Sequence, residues 1–341
     1  MGTFEPMETS LKLEYDPFVF TTGVFSPGEA ERFCSAFADV ETRCIAEAEL
    51  DYYRGNVTKA AAAFGALLGS ENDSIAISAT LGTAISSLSG GDVNIVLHLY
   101  RFAKELSESH AEDDPLKKMC DFLLLYFNIL LHNTPDIRFP AFGVQAFAVP
   151  ETLKPMAFYI YAHYLISVGD IGRAVGMAEG ALIFMKHPSP IAEIYLSLII
   201  SVGYMLRRVW DKAEYYFRHA WSLAKPDGIV LPFVEFRGML SGMLEKCLRY
   251  EEPEAYKQIS KLSNRYHKQW VFLHNLLTGE KISDRLTAIE FNVASLAASG
   301  LSNQEISDFL GITLNSVRAH LRNIFNKLAI SSRKELRDYV I

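Results

Sequence analysis

The chain has 341 residues, half of them hydrophobic, four cysteines and a formal net charge of −7. That length allows two or three domains with sizeable cores, and the acidic balance excludes a protein that binds nucleic acid through its overall charge. Cys34, Cys44, Cys120 and Cys247 form no CxxC pair, which excludes a disulfide framework and fits a reducing cytoplasm. The charge is unevenly spread: residues 284–341 hold seven Lys/Arg against six Asp/Glu, leaving 26 against 34 for residues 1–283. An acidic body therefore precedes a slightly basic tail, a division of labour.

The first residues, MGTFEPMETSLKLEYD, lack the basic then apolar order of a signal peptide, and Pro6 stands where a myristoylation motif requires Ser or Thr. Strand signals are scarce and helical periodicity is pervasive, so the fold class expected is all-α. Residues 26–50 read as a helical stretch opened by Ser26 as N-cap, with Pro27 next and Glu29 closing a capping box. Further periodic segments follow, broken at Gly55-Asn56, Gly90-Gly91-Asp92, Asn133-Thr134-Pro135, Gly169-Asp170, Pro188-Ser189-Pro190 and Pro226-Asp227-Gly228. The most apolar run, IAEIYLSLIISVGYML (191–206), is interrupted by Glu193 and is shorter than the roughly 18–20 uncharged residues a membrane span needs; it reads as a buried core helix.

A degenerate repeat runs through this body. YYRGNVTKAAAAF (52–64) and YLISVGDIGRAVGMA (164–178) each place a Tyr before a turn and an Ala, Ala60 or Ala174, where the next helix would pack closely. Val96 and Ala213 occupy the same place in two further segments, the last with Arg207-Arg208 in place of the glycine turn. Such spacing marks stacked helix pairs and resembles tetratricopeptide-type repeats over roughly residues 40–250; an irregular helical bundle is the alternative. MAFYIYAHYLISV (156–168) carries Phe158, Tyr159, Tyr161, His163 and Tyr164. These read first as inter-repeat packing with hydroxyls reaching solvent, and alternatively as the lining of a ligand pocket. His267 and His274 share a helix face but lie too far apart to hold one metal ion unaided. No metal, cofactor or catalytic grouping emerges, so an enzyme is not expected.

Periodicity fades at LLTGEKISDR (276–285), which gives 1–276 as a helical domain, 277–285 as a linker and 286–341 as a second domain. Three capping boxes punctuate that second domain: Thr287 with Glu290, Ser302 with Glu305, and Ser332 with Glu335. Gly300 and Gly311 sit just past two helix ends. A fourth helix is predicted over 314–328 with Thr313 as N-cap. Leu314, Val317, Leu321, Ile324 and Leu328 form its apolar stripe; Asn315, Arg318, Ala319, Arg322 and Asn326 form the opposite face. No carboxylate falls between Asp308 and Glu335, whereas Arg318, Arg322, Lys327, Arg333 and Lys334 do. At the start of this helix Ser316 replaces the Glu found in the other caps, which leaves that end suited to phosphate. A short helix, a turn at Gly311 and a longer basic-faced helix make a helix-turn-helix. The second helix of such a unit enters the major groove, where an arginine fork matches guanine O6 and N7.

The stretch LTAIEFNVASLAASGLSNQEISDFLGITLNSVRAHLRNIFNKLAISSRKEL (286–336) resembles the C-terminal DNA-binding domain of LuxR-type transcriptional regulators. It shares Leu286, Thr287, Glu290, Gly300, Ser302, Asn303, Glu305, Ile306, Leu310, Ile312, Val317, His320, Asn323, Ile324, Lys327, Leu328 and Arg333 with that family's pattern. The resemblance implies that Arg318, Ala319 and Arg322 face base edges and that Ser302, Asn303, Asn315, Ser316 and Lys327 approach phosphates. It also implies a last helix, Ser332 to Val340, with a dimer contact through Leu336, Tyr339 and Val340. His320 would touch the DNA backbone or pack as a hydrogen-bonded core histidine. Ile289 and Phe291 depart from the pattern where basic residues are common, as does Ser307 where Ala is usual. Two missing charges would lower the salt slope of DNA binding by about two units.

The body lacks the acid-tipped strands of a receiver domain and the GxxxxGK[ST] of the P-loop module in large MalT-like regulators, but resembles their helical-repeat part. The expected protein is therefore a cytoplasmic regulator in which a TPR-like helical region precedes a four-helix LuxR-type domain. Its expected partners are double-stranded DNA, a second copy on DNA, a small-molecule or peptide effector, and RNA polymerase as a further candidate. No membrane contact and no cofactor are expected. The rival readings are a helical-repeat scaffold whose tail is only a cap, and a sigma-like domain; the acidic body lacks the polymerase-binding and melting segments the latter needs.

Overall fold

A computed structural model describes residues 17–90, 92–111, 114–131, 133, 149–184, 189–240, 242–279 and 286–339. The fold is all-α, with no strand among these residues. In the body the helices are α1 Ala30–Ser35, α2 Val40–Tyr53, α3 Val57–Ala66, α4 Asp73–Gly90, α5 Val93–Ser109, α6 Pro115–Leu130, α7 Lys154–Ser167 and α8 Ile171–Phe184. They continue with α9 Pro190–Leu206, α10 Trp210–Ala224, the short α11 Leu231–Glu235, α12 Arg237–Leu240 and α13 Met243–Leu248, and the long α14 Pro253–Thr278. The C-terminal domain holds α15 Ala288–Ala298, α16 Asn303–Leu310, α17 Leu314–Leu328 and a 3-10 turn, Arg333–Asp338.

Successive helices of the body pack on one another from α2 to α6 and from α7 to α10, and α14 lies against both α4 and α11. The residues singled out by the repeat are buried: Ala60 and Ala213 have no exposed surface and Val96 and Ala174 almost none. Helix α9 is buried on nearly every side, as hydrophobicity all round the helix requires, and no helix among the described residues is long and apolar enough to cross a membrane. Gly203 on α9 marks a close approach to α8, since a Cβ there would stand 2.3 Å from Val175 Cγ2. Gly203→Ala is expected to cost roughly 1–3 kcal/mol through overpacking, visible as a lower denaturation midpoint with an unchanged far-ultraviolet spectrum.

Several expected boundaries move. The 26–50 stretch is two helices, because Asp39 caps α2 by accepting the Thr42 N–H at 2.7 Å. Helix α1 starts at Ala30, and Ser26 is not its cap. A distant carboxylate serves that end instead: Asp227 accepts from the N–H groups of Gly28 and Ala30 at 2.7 and 3.0 Å. Ser189 caps α9, with Pro190 as its first residue. Helix α14 runs through Thr278 before Gly279 ends it, two residues into the expected linker; residues 280–285 lie outside the described residues, as do most of the Asn133-Thr134-Pro135 break and Gly91.

Candidate nucleic-acid interface

The C-terminal domain is organised by its caps. Thr287 and Ser302 accept from the N–H groups of Glu290 and Glu305, and those carboxylates accept in turn from the Thr287 and Ser302 N–H groups at 2.8 and 2.6 Å. The Ser302 N–H holds the Glu305 carboxyl below the usual range. Gly311 then takes the left-handed conformation, φ +61°, that ends α16 and turns the chain into α17. Ser307 uses its hydroxyl to lock that turn, donating to Ile312 O at 2.7 Å, which accounts for a hydroxyl where the pattern has Ala.

Helix α17 begins at Thr313, whose Oγ accepts from Ser316 N at 3.1 Å and pairs with Ser316 Oγ at 2.8 Å. A hydroxyl pair thus stands where the other caps have a carboxylate. Val317, Leu321, Ile324 and Leu328 are buried against α15 and α16, while Leu314 at the helix start is only half-buried. That seating fixes the rotation of the helix and turns Asn315, Arg318, Arg322, Asn323 and Asn326 outward, with Ser316, Ala319 and His320 half-exposed on the flanks. Arg318 and Arg322 are one helical turn apart on a helix with no carboxylate.

Residues 284–340 match the family described as bacterial regulatory proteins, luxR family. The C-terminal domain belongs to the luxR family. Relatives include the HTH-type transcriptional regulator MalT of Vibrio campbellii (strain ATCC BAA-1116), 28% identical over 141 residues covering 37% of this chain and 16% of the relative. MalT of Yersinia enterocolitica serotype O:8 / biotype 1B is 25% identical over 154 residues, covering 40% and 17%. The chain thus spans about a sixth of the length of the curated relatives it matches. No solved structure matches.

Within the luxR-family domain several expected roles change. Lys327 Nζ lies 2.6 Å from Glu290 Oε2. Burial alone would raise the Glu290 carboxyl, but Lys327 and the Thr287 cap outweigh it and hold it low. Lys327 thus braces the α15 cap, and an approach to phosphate would compete with this ion pair. Leu336 is completely buried in the domain's own core, where the 3-10 turn packs on α15; it therefore offers no surface for a dimer contact. The expected last helix is this 3-10 turn rather than an α-helix, and the Ser332 hydroxyl donates to Glu335 Oε1 at 2.6 Å without capping the turn's backbone. Tyr339 is partly buried and Val340 lies outside the described residues. Asn303 Oδ1 accepts from Arg333 Nη1 at 2.9 Å, and Arg333 also donates to the carbonyls of Ala297 and Leu301. Arg333 is thus a structural clasp, a role that neither its charge nor its place in the family pattern specified.

The domain is seated on the body. Phe309 meets the Trp210 ring at 4.7 Å, Phe291 meets His267 at 4.8 Å, and Arg208 donates to Ser299 O at 3.3 Å. Phe291 is 7% exposed. Its place in this contact is the reason a basic residue is missing there: the position faces the body. Helix α17 packs chiefly on α15 and α16, and Arg318 and Arg322 are exposed.

Beneath Phe291 lies a cavity of about 70 Å³ lined from both sides of the junction. Tyr159 and His163 are among the residues that line it. Tyr159 is buried and pairs with His163 at 3.3 Å rather than reaching solvent. Glu235 also lines it and accepts from the hydroxyls of Tyr52 and Tyr195. Burial pushes this carboxyl up to about 7, partly offset by the two tyrosines. His274 is held by Leu131 O at 2.6 Å, and no group of metal-ligating side chains occurs among the described residues.

Proposed function

We propose that this chain is a sequence-specific, DNA-binding transcriptional regulator that places helix 314–328 in the major groove. The reading is carried by one observation: the buried stripe of α17 leaves Arg318 and Arg322 exposed on an acid-free face. Arg318, Ala319 and Arg322 then address base edges, and Ser302, Asn303, Asn315 and Ser316 lie toward the phosphates, with the first turn of α17 closest. The names of the relatives, HTH-type transcriptional regulators, support the same output. The helical body acts as the sensor of a small molecule or protein partner. On palindromic DNA two copies bind side by side, in the cytoplasm where the chromosome is.

The test is binding of a labelled duplex, selected from random sequence, at several salt concentrations. Affinity should fall steeply with salt. Arg318→Ala and Arg322→Ala should each cost about 1–3 kcal/mol and relax preference at one or two base positions. Lys327→Ala should instead act through stability, because its partner is Glu290. Salt-independent binding, or arginine variants that bind as well as the parent, would mean that the tail is a helical cap on a scaffold.

A further inference from the structure

The cavity at the junction holds hydrogen-bonding groups with nothing to bond. Tyr266 Oη on α14 and Asn292 Nδ2 on α15 are buried, at 5% and 1% exposure, and have no hydrogen-bond partner among the described residues. Arg237 Nε is in the same condition, although its other nitrogens are engaged by Ser260 and Glu245. All three residues line the cavity. Buried polar groups are almost always satisfied, and each exception calls for a reason. Of these, Asn292 Nδ2 and Arg237 Nε can only donate and Tyr266 Oη can donate, while His267 Nε2, which also lines the cavity, takes either role with its tautomer. The acceptor in the cavity, Glu235, already receives two tyrosine hydroxyls.

The chemistry of an occupant follows. A surplus of donors calls for a lone-pair oxygen. A cation would bring more donors. An anion would face Glu235, and the charge of Arg237 is already matched by Glu245 at 2.6 Å. Tyr159, Phe236, Trp270 and Phe291 supply flat apolar walls. We propose that this cavity is an effector site for a small, uncharged, planar molecule bearing a carbonyl oxygen, held between Tyr266 of the body and Asn292 of the luxR-family domain.

Size ties the site to DNA binding. A cavity of about 70 Å³ has room for water but is smaller than the roughly 150 Å³ that admits benzene. A ring-sized occupant therefore presses on the walls of this partly open pocket. Two wall residues, Phe291 and Asn292, belong to the DNA-binding domain, so occupation changes how that domain sits on the body. This coupling rests on the DNA-binding reading above; the site itself does not.

Benzamide and toluene, similar in shape but only one with an acceptor, provide the test by titration calorimetry on the full chain. Benzamide should bind in the millimolar range or tighter and outcompete toluene by about 5- to 10-fold, the effect of one or two neutral hydrogen bonds. Tyr266→Phe should erase that preference. Its thermal midpoint should stay level or rise, because the lost hydroxyl had no partner; a structural hydroxyl would instead lower it. Asn292→Ala is the second variant, expected to weaken benzamide and spare toluene. Saturating benzamide should change duplex affinity several-fold, with duplex changing benzamide affinity by the same factor. No benzamide binding, equal binding of toluene, or full benzamide affinity in Tyr266→Phe overturns the site. Binding without reciprocal change on DNA overturns the coupling. A chain that takes benzamide but no duplex leaves the site standing and removes the DNA reading.

Discussion

Arg237→Met is expected to destabilise the protein by about 3–5 kcal/mol, the largest single-residue effect in the body. The Arg237 and Glu245 side chains are 8% and 3% exposed and meet at 2.6 Å. Removing the guanidinium strands a buried carboxylate, whose other oxygen, Oε2, already has no partner among the described residues. Glu245→Leu should cost a similar amount for the mirror reason. The double variant Arg237→Met/Glu245→Leu should recover most of the loss, since two apolar side chains of similar volume need no solvation. Urea denaturation of the four proteins measures the coupling directly. Additive losses would show that the two residues act separately, and the pair would then not be the feature that holds α12 to α13.

Stability should fall as pH rises from about 4.5 to about 7 and level off above that. Glu49 and Glu235 are both pushed by burial from 4.5 up to about 7, against opposing hydrogen bonds from Thr21 in the first case and from Tyr195 and Tyr52 in the second. For a carboxyl raised on folding, the unfolded chain ionises first. The folded state then loses ground by about 1.4 kcal/mol per pH unit per group, until the folded group ionises as well. Over this window each carboxyl costs on the order of 3 kcal/mol. The stability is therefore present in full below about 4.5 and is lost as pH passes through 7. Glu290 and Glu305 have the opposite shift, and their loss of stability falls below the normal carboxylate range, outside this window. Glu49→Gln/Glu235→Gln should flatten the urea midpoint between pH 5 and 8. A parent protein whose midpoint rises across that interval would contradict the assignment.

The two carboxyls also show why much of the body was opaque to sequence reasoning. Nothing in the segment around Glu235 distinguishes it from a surface glutamate, because the tyrosines that bond it, Tyr52 and Tyr195, lie 183 and 40 residues away. The Asp227 cap of α1 is of the same kind, 199 residues from Gly28. Ser26, Pro27 and Glu29 satisfied a local rule and were bypassed: the Glu29 N–H goes to Ser26 O, and a carboxylate brought in by the fold takes the neighbouring N–H groups of Gly28 and Ala30. Leu336 failed in the other direction. An apolar residue near a chain end reads equally well as a contact for a partner or for its own core, and only the path of the last turn onto α15 separates the two.

What the sequence determined by itself was the local grammar of the C-terminal domain: the Thr287, Ser302 and Thr313 caps, the turn at Gly311, and the rotation of α17 that sends Arg318 and Arg322 outward. Those features depend on residues three to eleven positions apart, a range over which hydrogen bonding and helical periodicity act without help from the rest of the chain. Tertiary structure alone decided that Phe291 faces the body and not DNA, that Lys327 neutralises Glu290, and that Tyr266 and Asn292 meet across one cavity. The physical reason is the same in each case: burial and charge compensation are properties of what is brought near, and the partners here come from other helices.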